Sequence, residues 1–199
     1  MDGSLGISYI INDEIRFATR GSFTSDQALK ATEIWKNNHS EANFHRMFPE
    51  KKPTLLVEII YPDNRIVVDY GKEEKLVLLG VTSGNYDSSY DFVRAIGKNL
   101  RLPVVQQYDF TLEKMLEMKK SISANEEGWI LRFKDGKRLK IKGDEYIGVH
   151  RLLHGLSDKA KVKAWSTGTM NNYIMMLPEE FRPELEKFSD DLDKVKDSQ

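Results

Sequence analysis

The spacing of apolar side chains in the first half of the chain predicts a β-sheet. Residues 8–11 and 15–18 alternate in character and contain β-branched and aromatic side chains. Asn12 and Asp13 between them favour a turn, so the two segments predict a hairpin. Apolar runs bounded by turn-forming residues predict further strands, at 53–61, 65–69 and 76–81.

Helical spacing alternates with these strands. Thr24 and Gln27 form a capping-box pattern, and apolar residues then recur at positions 28, 31, 34 and 35. This pattern predicts a helix that ends at Asn37. Two more helices are predicted, at 88–100 and 111–119.

The strongest hairpin signal lies in the second half of the chain. Segments 129–134 and 138–142 flank Asp135-Gly136, a pair that readily takes the positive φ angles of a two-residue turn. After Tyr146, apolar residues return to helical spacing, and the charged C-terminal end is expected to be a solvated helix or a frayed tail.

These elements predict an α+β fold with antiparallel-rich sheets and flanking helices, followed by a helical C-terminal tail. The change from mixed to purely helical pattern predicts two parts. The first is a domain over residues 1–145, and the second is a helical segment over residues 146–199.

Composition narrows the class of protein. The 199 residues carry 30 basic and 31 acidic side chains, a net charge of −1, so nucleic-acid binding requires a local patch. Residues 130–165 hold ten Lys and Arg against four Asp and Glu, whereas residues 179–199 hold eight acids and four bases. The absence of cysteine excludes disulfides and thiolate chemistry. With no signal-peptide pattern and no long apolar run, an intracellular or cytoplasmic protein without a membrane span is expected.

Glu58 is a carboxylate inside the apolar run 55–61, on the same strand face as Leu56 and Ile60. An ionised carboxylate there is costly to desolvate, so a partner must compensate. One interpretation is an edge strand with a solvated end or an arginine partner. The other is a carboxylate that binds a ligand hydroxyl, a cation or a metal ion.

Lys140 and Lys142 are two residues apart on a predicted strand, so both ammonium groups project from one face. Arg132, Lys134 and Arg138 extend this basic region. Two adjacent ammonium groups favour an anion such as phosphate. The alternative is an exposed hairpin face with ordinary solubilising lysines.

Two further groups of side chains precede or follow this hairpin. Glu126 and Glu127 stand at its entrance, where carboxylates either bind magnesium or a ribose hydroxyl, or simply end a loop. His150 and His154 are spaced i, i+4, but Arg151 stands where a zinc motif has glutamate, so they are interpreted as surface or packing residues.

Five short motifs occur in one order along the chain. They are Asp2-Gly3-Ser4-Leu5, Arg20-Gly21-Ser22, Glu58 in its apolar strand, Glu127-Gly128-Trp129 and Lys140-Ile141-Lys142. In this order they resemble the motifs of the covalent nucleotidyltransferases, which implies a nucleotidyltransferase core like that of the ATP-grasp-type ligases. The likeness is closest to the ATP-dependent RNA ligase 1 family of large bacteriophages and covers residues 2 to about 150.

This resemblance implies RNA repair with ATP and Mg²⁺. In that family a lysine attacks the α-phosphorus of ATP to form lysine–AMP, the AMP moves to an RNA 5′-phosphate, and an RNA 3′-hydroxyl then seals the strand and releases AMP. The implied partner is single-stranded or broken RNA with 5′-phosphate and 3′-hydroxyl ends.

The resemblance also implies the role of each motif. Lys140, Lys142 and Glu127 correspond to catalytic positions, and Glu58 and Glu127 are the candidate metal ligands. The implied contacts to ATP or AMP are Asp2, Gly3, Ser4, Arg20, Glu58, Glu127, Lys140 and Lys142.

The family pattern places its nucleophile lysine two residues before Asp2, and the sequence starts at Met1. The expectation is a chain truncated just after that lysine, which does not form lysine–AMP but retains sealing of RNA that already carries a 5′-adenylate. Two alternatives remain: a non-catalytic RNA-end or nucleotide-binding remnant, and another nucleotidyltransferase of DNA ligase or mRNA-capping type.

Overall fold

A computed structural model describes residues 1–84, 86–133, 135–154, 156–177 and 182–197 of the chain. The chain forms two compact units. The first comprises Met1–Leu112 and Ile130–Leu139, and the second comprises Glu113–Trp129 and Lys140–Gln199. The division differs from the predicted boundary near residue 145, because part of the second hairpin and a preceding helix belong to the second unit.

The first unit contains a five-stranded antiparallel sheet. Its strands are β1 (Ser4–Ile11), β2 (Glu14–Ala18), β3 (Thr54–Ile60), β4 (Lys75–Ser83) and β5 (Tyr86–Asp87). Their order across the sheet is β2-β1-β3-β4-β5. Its helices are α1 (Asp26–Asn38), α2 (Glu41–Met47) and α3 (Tyr90–Leu100), with a short 3-10 helix at Pro62–Asn64.

Alternate residues of the sheet build one core with these helices. Strand residues on one face are fully buried because side chains alternate between faces with period two. Helix α1 packs Ala31, Ile34 and Trp35 into the same core. Burying each large apolar side chain contributes about 1.5–3 kcal/mol. The fully buried strand residues are Ile15, Phe17, Leu55, Val57, Ile59, Leu76, Leu78 and Val81.

The structure confirms the predicted first hairpin and first helix, and it corrects the predicted N-cap residue of that helix. Asn12 and Asp13 form the turn, with φ of 51° and 60°, and Ile11 pairs with Glu14. The N-cap of α1 is Ser25, not the predicted Thr24, because the Ser25 side chain accepts a hydrogen bond from a backbone N–H of the first turn.

The predicted strand at 65–69 is wrong. No strand covers these residues in the described part of the chain. The backbone N–H groups of Val67 and Val68 donate instead to the carboxylate of Asp2, at 2.8 and 2.9 Å. A side chain 65 residues away in sequence therefore takes the place of a neighbouring strand.

Helices dominate the second unit. They are α5 (Asp144–His154), α6 (Asp158–Ser166), α7 (Met170–Met176) and α8 (Arg182–Asp197), preceded by α4 (Leu112–Met118) at the unit boundary. The predicted solvated or frayed tail is a helix in part: α8 buries Leu185, and its Asp193 accepts a hydrogen bond from the Trp165 indole at 2.9 Å. Residues 178–181, 198 and 199 lie outside the described residues.

The second hairpin consists of β6 (Gly128–Arg132) and β7 (Arg138–Lys142). The Phe133 N–H donates to the Lys137 carbonyl at 2.9 Å. Gly136 takes a φ of +85°, a conformation that glycine adopts readily. The predicted basic residue Lys134 lies outside the described residues.

The predicted α+β class, with antiparallel sheets and flanking helices, is confirmed. None of the helices in the described ranges combines the length and apolar character needed to cross a membrane.

Candidate nucleotide and phosphate site

The Asp2-Gly3-Ser4 motif is built into the first unit by a set of polar contacts. The Asp2 carboxylate, 3% exposed, accepts the two backbone bonds from Val67 and Val68, and the Asp2 N–H donates to the Tyr70 hydroxyl at 2.8 Å. Asp2 therefore holds the loop after the 3-10 helix in place.

Gly3 connects this motif to Glu58. The Gly3 N–H donates to Glu58 Oε1 at 2.8 Å. A Cβ atom at Gly3 would lie 2.5 Å from the Ile59 carbonyl oxygen, so a side chain there clashes with the backbone. Only glycine permits this close approach of the chain to β3.

Glu58 lies on β3, which is paired on both sides, with β1 and with β4. The edge-strand interpretation is therefore wrong. The side chain is half-buried on the face opposite Val57 and Ile59, and the Gly3 N–H accounts for part of the compensation that its burial requires.

Ser4 and Arg20 complete the predicted residues of the first unit. The Ser4 hydroxyl donates to Asn64 Oδ1 at 2.9 Å, and the Asn64 amide donates to the Ile59 carbonyl at 2.8 Å. Arg20 is exposed and has no hydrogen bond or ion pair within the described residues. Its guanidinium is therefore available to an anion.

Glu127, Lys140 and Lys142 come together in the second unit. Glu127 Oε1 lies 2.5 Å from Lys140 Nζ and 3.3 Å from Lys142 Nζ. The carboxylate is 8% exposed, whereas the lysine side chains are 48% and 33% exposed. The buried Glu127 carboxylate therefore lies against the ammonium groups of both lysines, on the face that they were predicted to share. The cluster of these three side chains carries one excess positive charge.

Backbone geometry places Glu127 at this position. Gly128, with φ of +131°, lies so close to the paired strand that a Cβ would be 2.0 Å from the Ile141 carbonyl oxygen. The Gly143 N–H donates to the Glu127 carbonyl at 2.9 Å. Gly128 allows strands β6 and β7 to approach closely, and the Glu127 carboxylate therefore reaches both lysines.

The cluster is suited to bind phosphate. The buried acid orients two long, flexible lysine side chains toward the same point, which lowers the entropy lost when they bind an anion. Lys142 also lies over the Tyr146 ring, with Nζ 4.8 Å from its centroid. Phosphoryl oxygens that gain charge in a reaction are stabilised by such preorganised ammonium groups.

Sequence reasoning missed Asn64 and Tyr70 as supports of the first motif. Both act through contacts across more than fifty residues, Asn64 with Ser4 and Tyr70 with Asp2. The signal that could have found Asn64 is its position just after the Pro62-Asp63 turn, where an amide readily satisfies backbone groups.

The expected magnesium ligands do not form a metal centre by themselves. Among the described residues no group of three or more His, Asp or Glu side chains could hold a metal ion. Glu127 is neutralised by two ammonium groups, and Glu58 accepts a backbone N–H. Their role toward Mg²⁺ stays a prediction.

Comparison with solved structures identifies the fold. The RNA ligase of Naegleria gruberi with PPi matches with a TM-score of 0.57 and 18% identity, over 76% of this chain and 50% of that chain. A lysine-to-alanine mutant of the same ligase with ATP and Mn matches with a TM-score of 0.57 and 20% identity, over the same shares. A protein of Aquifex aeolicus assigned as an ATP-dependent DNA ligase matches with a TM-score of 0.51 and 16% identity, over 98% of this chain and 53% of that chain.

The fold of this chain is similar to that of these ligases. It spans about half the length of the ligases that it matches. No family model matches the sequence.

Proposed function

We propose that the chain carries the adenylate-handling and strand-joining part of an ATP-dependent RNA ligase of the phage RNA ligase 1 class. The observation that carries this proposal is the pairing of Glu127 with both Lys140 and Lys142, because it presents two oriented ammonium groups on one strand. The ligase fold supports the same conclusion.

The reaction assigned to the chain is the sealing of RNA that carries a 5′-adenylate. The RNA 3′-hydroxyl oxygen attacks the 5′-phosphorus of the adenylylated strand. A new phosphodiester P–O bond forms, the bond between that phosphorus and the AMP oxygen breaks, and the hydroxyl proton passes to solvent. AMP leaves as a phosphate monoester.

Lys140 and Lys142 act on the charge that develops in this step. Negative charge grows on the oxygens of the attacked phosphorus and on the AMP phosphate as the bond breaks. Ammonium groups already held by Glu127 stabilise that charge without reorganisation. Glu127 is a positioning residue in this scheme, because its carboxylate sets where the two ammonium groups lie.

The first unit is assigned the nucleoside contacts. Arg20, exposed and without a partner in the described ranges, supplies a guanidinium for ligand oxygen atoms. Glu58 supplies carboxylate oxygens for a ribose hydroxyl. Asp2 and Gly3 contribute by fixing the backbone conformation around the site. Their polar groups are already engaged, Asp2 with the loop after the 3-10 helix and Gly3 with Glu58.

The test is joining of a synthetic 5′-adenylylated RNA to a 3′-hydroxyl RNA acceptor, followed by gel electrophoresis. We expect ligated product and AMP in equal amounts from the wild-type chain. Lys140→Ala and Lys142→Ala should each lower the rate by about 10²-fold or more, the typical effect of removing a preorganised charge-stabilising group. Lys163→Ala is the matched control, because Lys163 is exposed on α6 and outside the cluster.

Two results would count against the proposal. Product no greater than in a reaction without protein would refute sealing. Retained binding of AMP or RNA ends in that case would favour the non-catalytic binding alternative. Joining of duplex DNA nicks in preference to RNA would instead favour the DNA ligase alternative.

A further inference from the structure

Strand β1 has one face in the core and the other face toward solvent. Leu5 pairs directly with Glu58, and side chains alternate along a strand, so Leu5, Ile7, Tyr9 and Ile11 share the sheet face that carries Glu58. The core lies on the opposite face. Leu5 is 39% exposed and Ile11 is 46% exposed. These four residues form an apolar surface that a ligand can reach, here called the open face.

Phe23 extends from the loop between β2 and α1 onto this open face. Its ring meets the Tyr9 ring at nearly a right angle, with centroids 5.1 Å apart and an interplanar angle of 88°. In an edge-to-face pair of this kind, at least one flat side of the Phe23 ring stays clear of Tyr9. Phe23 is 66% exposed, so most of its surface is available to a ligand.

Hydrogen bonds on both sides of Phe23 hold its loop in place. The Thr19 N–H donates to the Ser22 carbonyl at 2.9 Å, and the Thr24 N–H donates to the Ser22 hydroxyl at 3.0 Å. The hydroxyl oxygens of Thr19 and Ser25 lie 3.3 Å apart. Because these bonds already fix the backbone, less conformational entropy is lost when the ring binds a ligand.

Arg20 supplies a cation in the same loop. It is exposed, and its guanidinium makes no hydrogen bond or ion pair with the described part of the chain. Arg20 and Phe23 are three residues apart, which places their backbones within about 11 Å of each other. Proteins bind single-stranded nucleic acid with this combination, since the ring stacks on a base and the cation pairs with a phosphate.

Phe23 is separated along the open face from the nucleoside contact assigned to Glu58. Tyr9 lies four residues after Leu5, the partner of Glu58, and therefore about 13 Å further along β1. A nucleoside bound to Glu58 through its ribose carries its base on that same sugar, so covering Phe23 requires a second nucleotide. Selective recognition of one base uses converging polar groups in a concave site, whereas an exposed ring stacks on any base.

We propose that Phe23 is a stacking platform for an unpaired base of the RNA strand, with Arg20 bound to a phosphate of that strand. The stacked base belongs to the RNA and not to ATP or AMP. In a duplex, both sides of each internal base are covered by its neighbours, so the platform selects single-stranded RNA. This inference rests on the proposed function and deepens it, because it assigns the contact to the strand to a residue outside the lysine cluster.

The test compares two oligonucleotides of equal charge. A labelled twelve-nucleotide RNA and the same ribose–phosphate backbone without bases are titrated with the chain, and fluorescence anisotropy gives the dissociation constants. Phe23→Leu keeps an apolar side chain and removes the ring. We expect it to weaken RNA binding by about tenfold and binding of the abasic strand by less than about twofold. Phe23→Trp restores a ring and should bind the RNA at least as tightly as the wild type.

Two further variants separate the ring from its surroundings. Phe92→Leu is the matched control, because Phe92 is an exposed phenylalanine on α3, and both dissociation constants should equal those of the wild type. Arg20→Gln should weaken the RNA and the abasic strand by the same factor, since it removes a phosphate contact. An effect of Arg20→Gln on the RNA alone would contradict its assignment to phosphate.

Four results would overturn the platform. They are wild-type binding of the RNA no tighter than of the abasic strand, unchanged RNA binding by Phe23→Leu, equal weakening of both strands by that variant, and equal weakening of an RNA duplex. A loss of ATP or AMP binding by Phe23→Leu, with RNA binding unchanged, would also overturn it, because the stacked base would then be the adenine of the nucleotide.

Failure of this inference can be told apart from failure of the proposed function. Base-dependent RNA binding that Phe23→Leu removes, in a chain that does not seal adenylylated RNA, would support the platform and refute sealing. Sealing by a chain whose RNA binding does not depend on the Phe23 ring would refute only the platform.

Discussion

Replacing Asp2 by alanine should loosen the loop at 66–70 and destabilise the first unit. The buried Asp2 carboxylate accepts two backbone bonds, from Val67 and Val68. A hydrogen bond to a charged group contributes about 1.5–3 kcal/mol, and alanine leaves both N–H groups without their acceptor. Allowing for water entering the vacated space, we expect the free energy of unfolding to fall by about 2–4 kcal/mol. Asp2→Asn keeps an acceptor oxygen and should lose about half as much.

Amide hydrogen exchange measured by NMR tests this directly. In Asp2→Ala the amides of Val67 and Val68 should exchange about 30-fold faster or more, since each kcal/mol of lost protection raises exchange about fivefold. The Leu78 amide on β4, bonded to the Pro103 carbonyl at 2.7 Å, should accelerate only by the loss of global stability. Urea denaturation gives that global value.

Asp109→Ala is the control, because Asp109 is exposed and has no hydrogen bond or ion pair to another described residue, and it should change stability by less than about 0.5 kcal/mol. If Asp2→Ala unfolds at the same urea concentration as the wild type and the Val67 and Val68 amides keep their protection, the loop is held by other contacts and the reasoning is wrong.

Three further changes test close packing and protonation. Gly3→Ala should lower the free energy of unfolding by about 1–3 kcal/mol in urea denaturation, because the new Cβ meets a carbonyl oxygen at 2.5 Å. Gly128→Ala should reduce sealing of adenylylated RNA more than tenfold, because a φ of +131° and a 2.0 Å contact with the paired strand force Glu127 away from its lysines. His39 has a pKa lowered by burial, so the unfolded chain takes up the proton first, and stability should fall as the pH drops below about 6.5.

Each of these changes has a matched comparison. Gly80→Ala meets its nearest atom at 3.8 Å and should alter stability by less than about 0.5 kcal/mol. A circular dichroism spectrum like that of the wild type would show that Gly128→Ala acts on the site and not on folding. Replacing His39 by Gln keeps a donor for the Leu100 carbonyl, and the loss of stability between pH 7.5 and 5.5 should be smaller in that variant. Equal losses in both proteins would contradict the assignment to His39.

The local sequence pattern was sufficient to predict those structural features that follow from the periodicity of neighbouring residues. The hairpin around Asn12 and Asp13 and the buried face of α1 both follow from alternation or helical spacing over a few residues. The common face of Lys140 and Lys142 follows from the two-residue period of a strand.

Only the tertiary structure decided where polar groups find their partners. The segment at 66–68 has the composition of a strand, yet its N–H groups bond to Asp2 because that carboxylate is buried beside them. Glu58 lies in a strand paired on both sides, and it accepts a hydrogen bond from the Gly3 N–H, more than fifty residues away. A buried polar group must be satisfied by whatever the fold brings near, and sequence spacing carries no information about that neighbour.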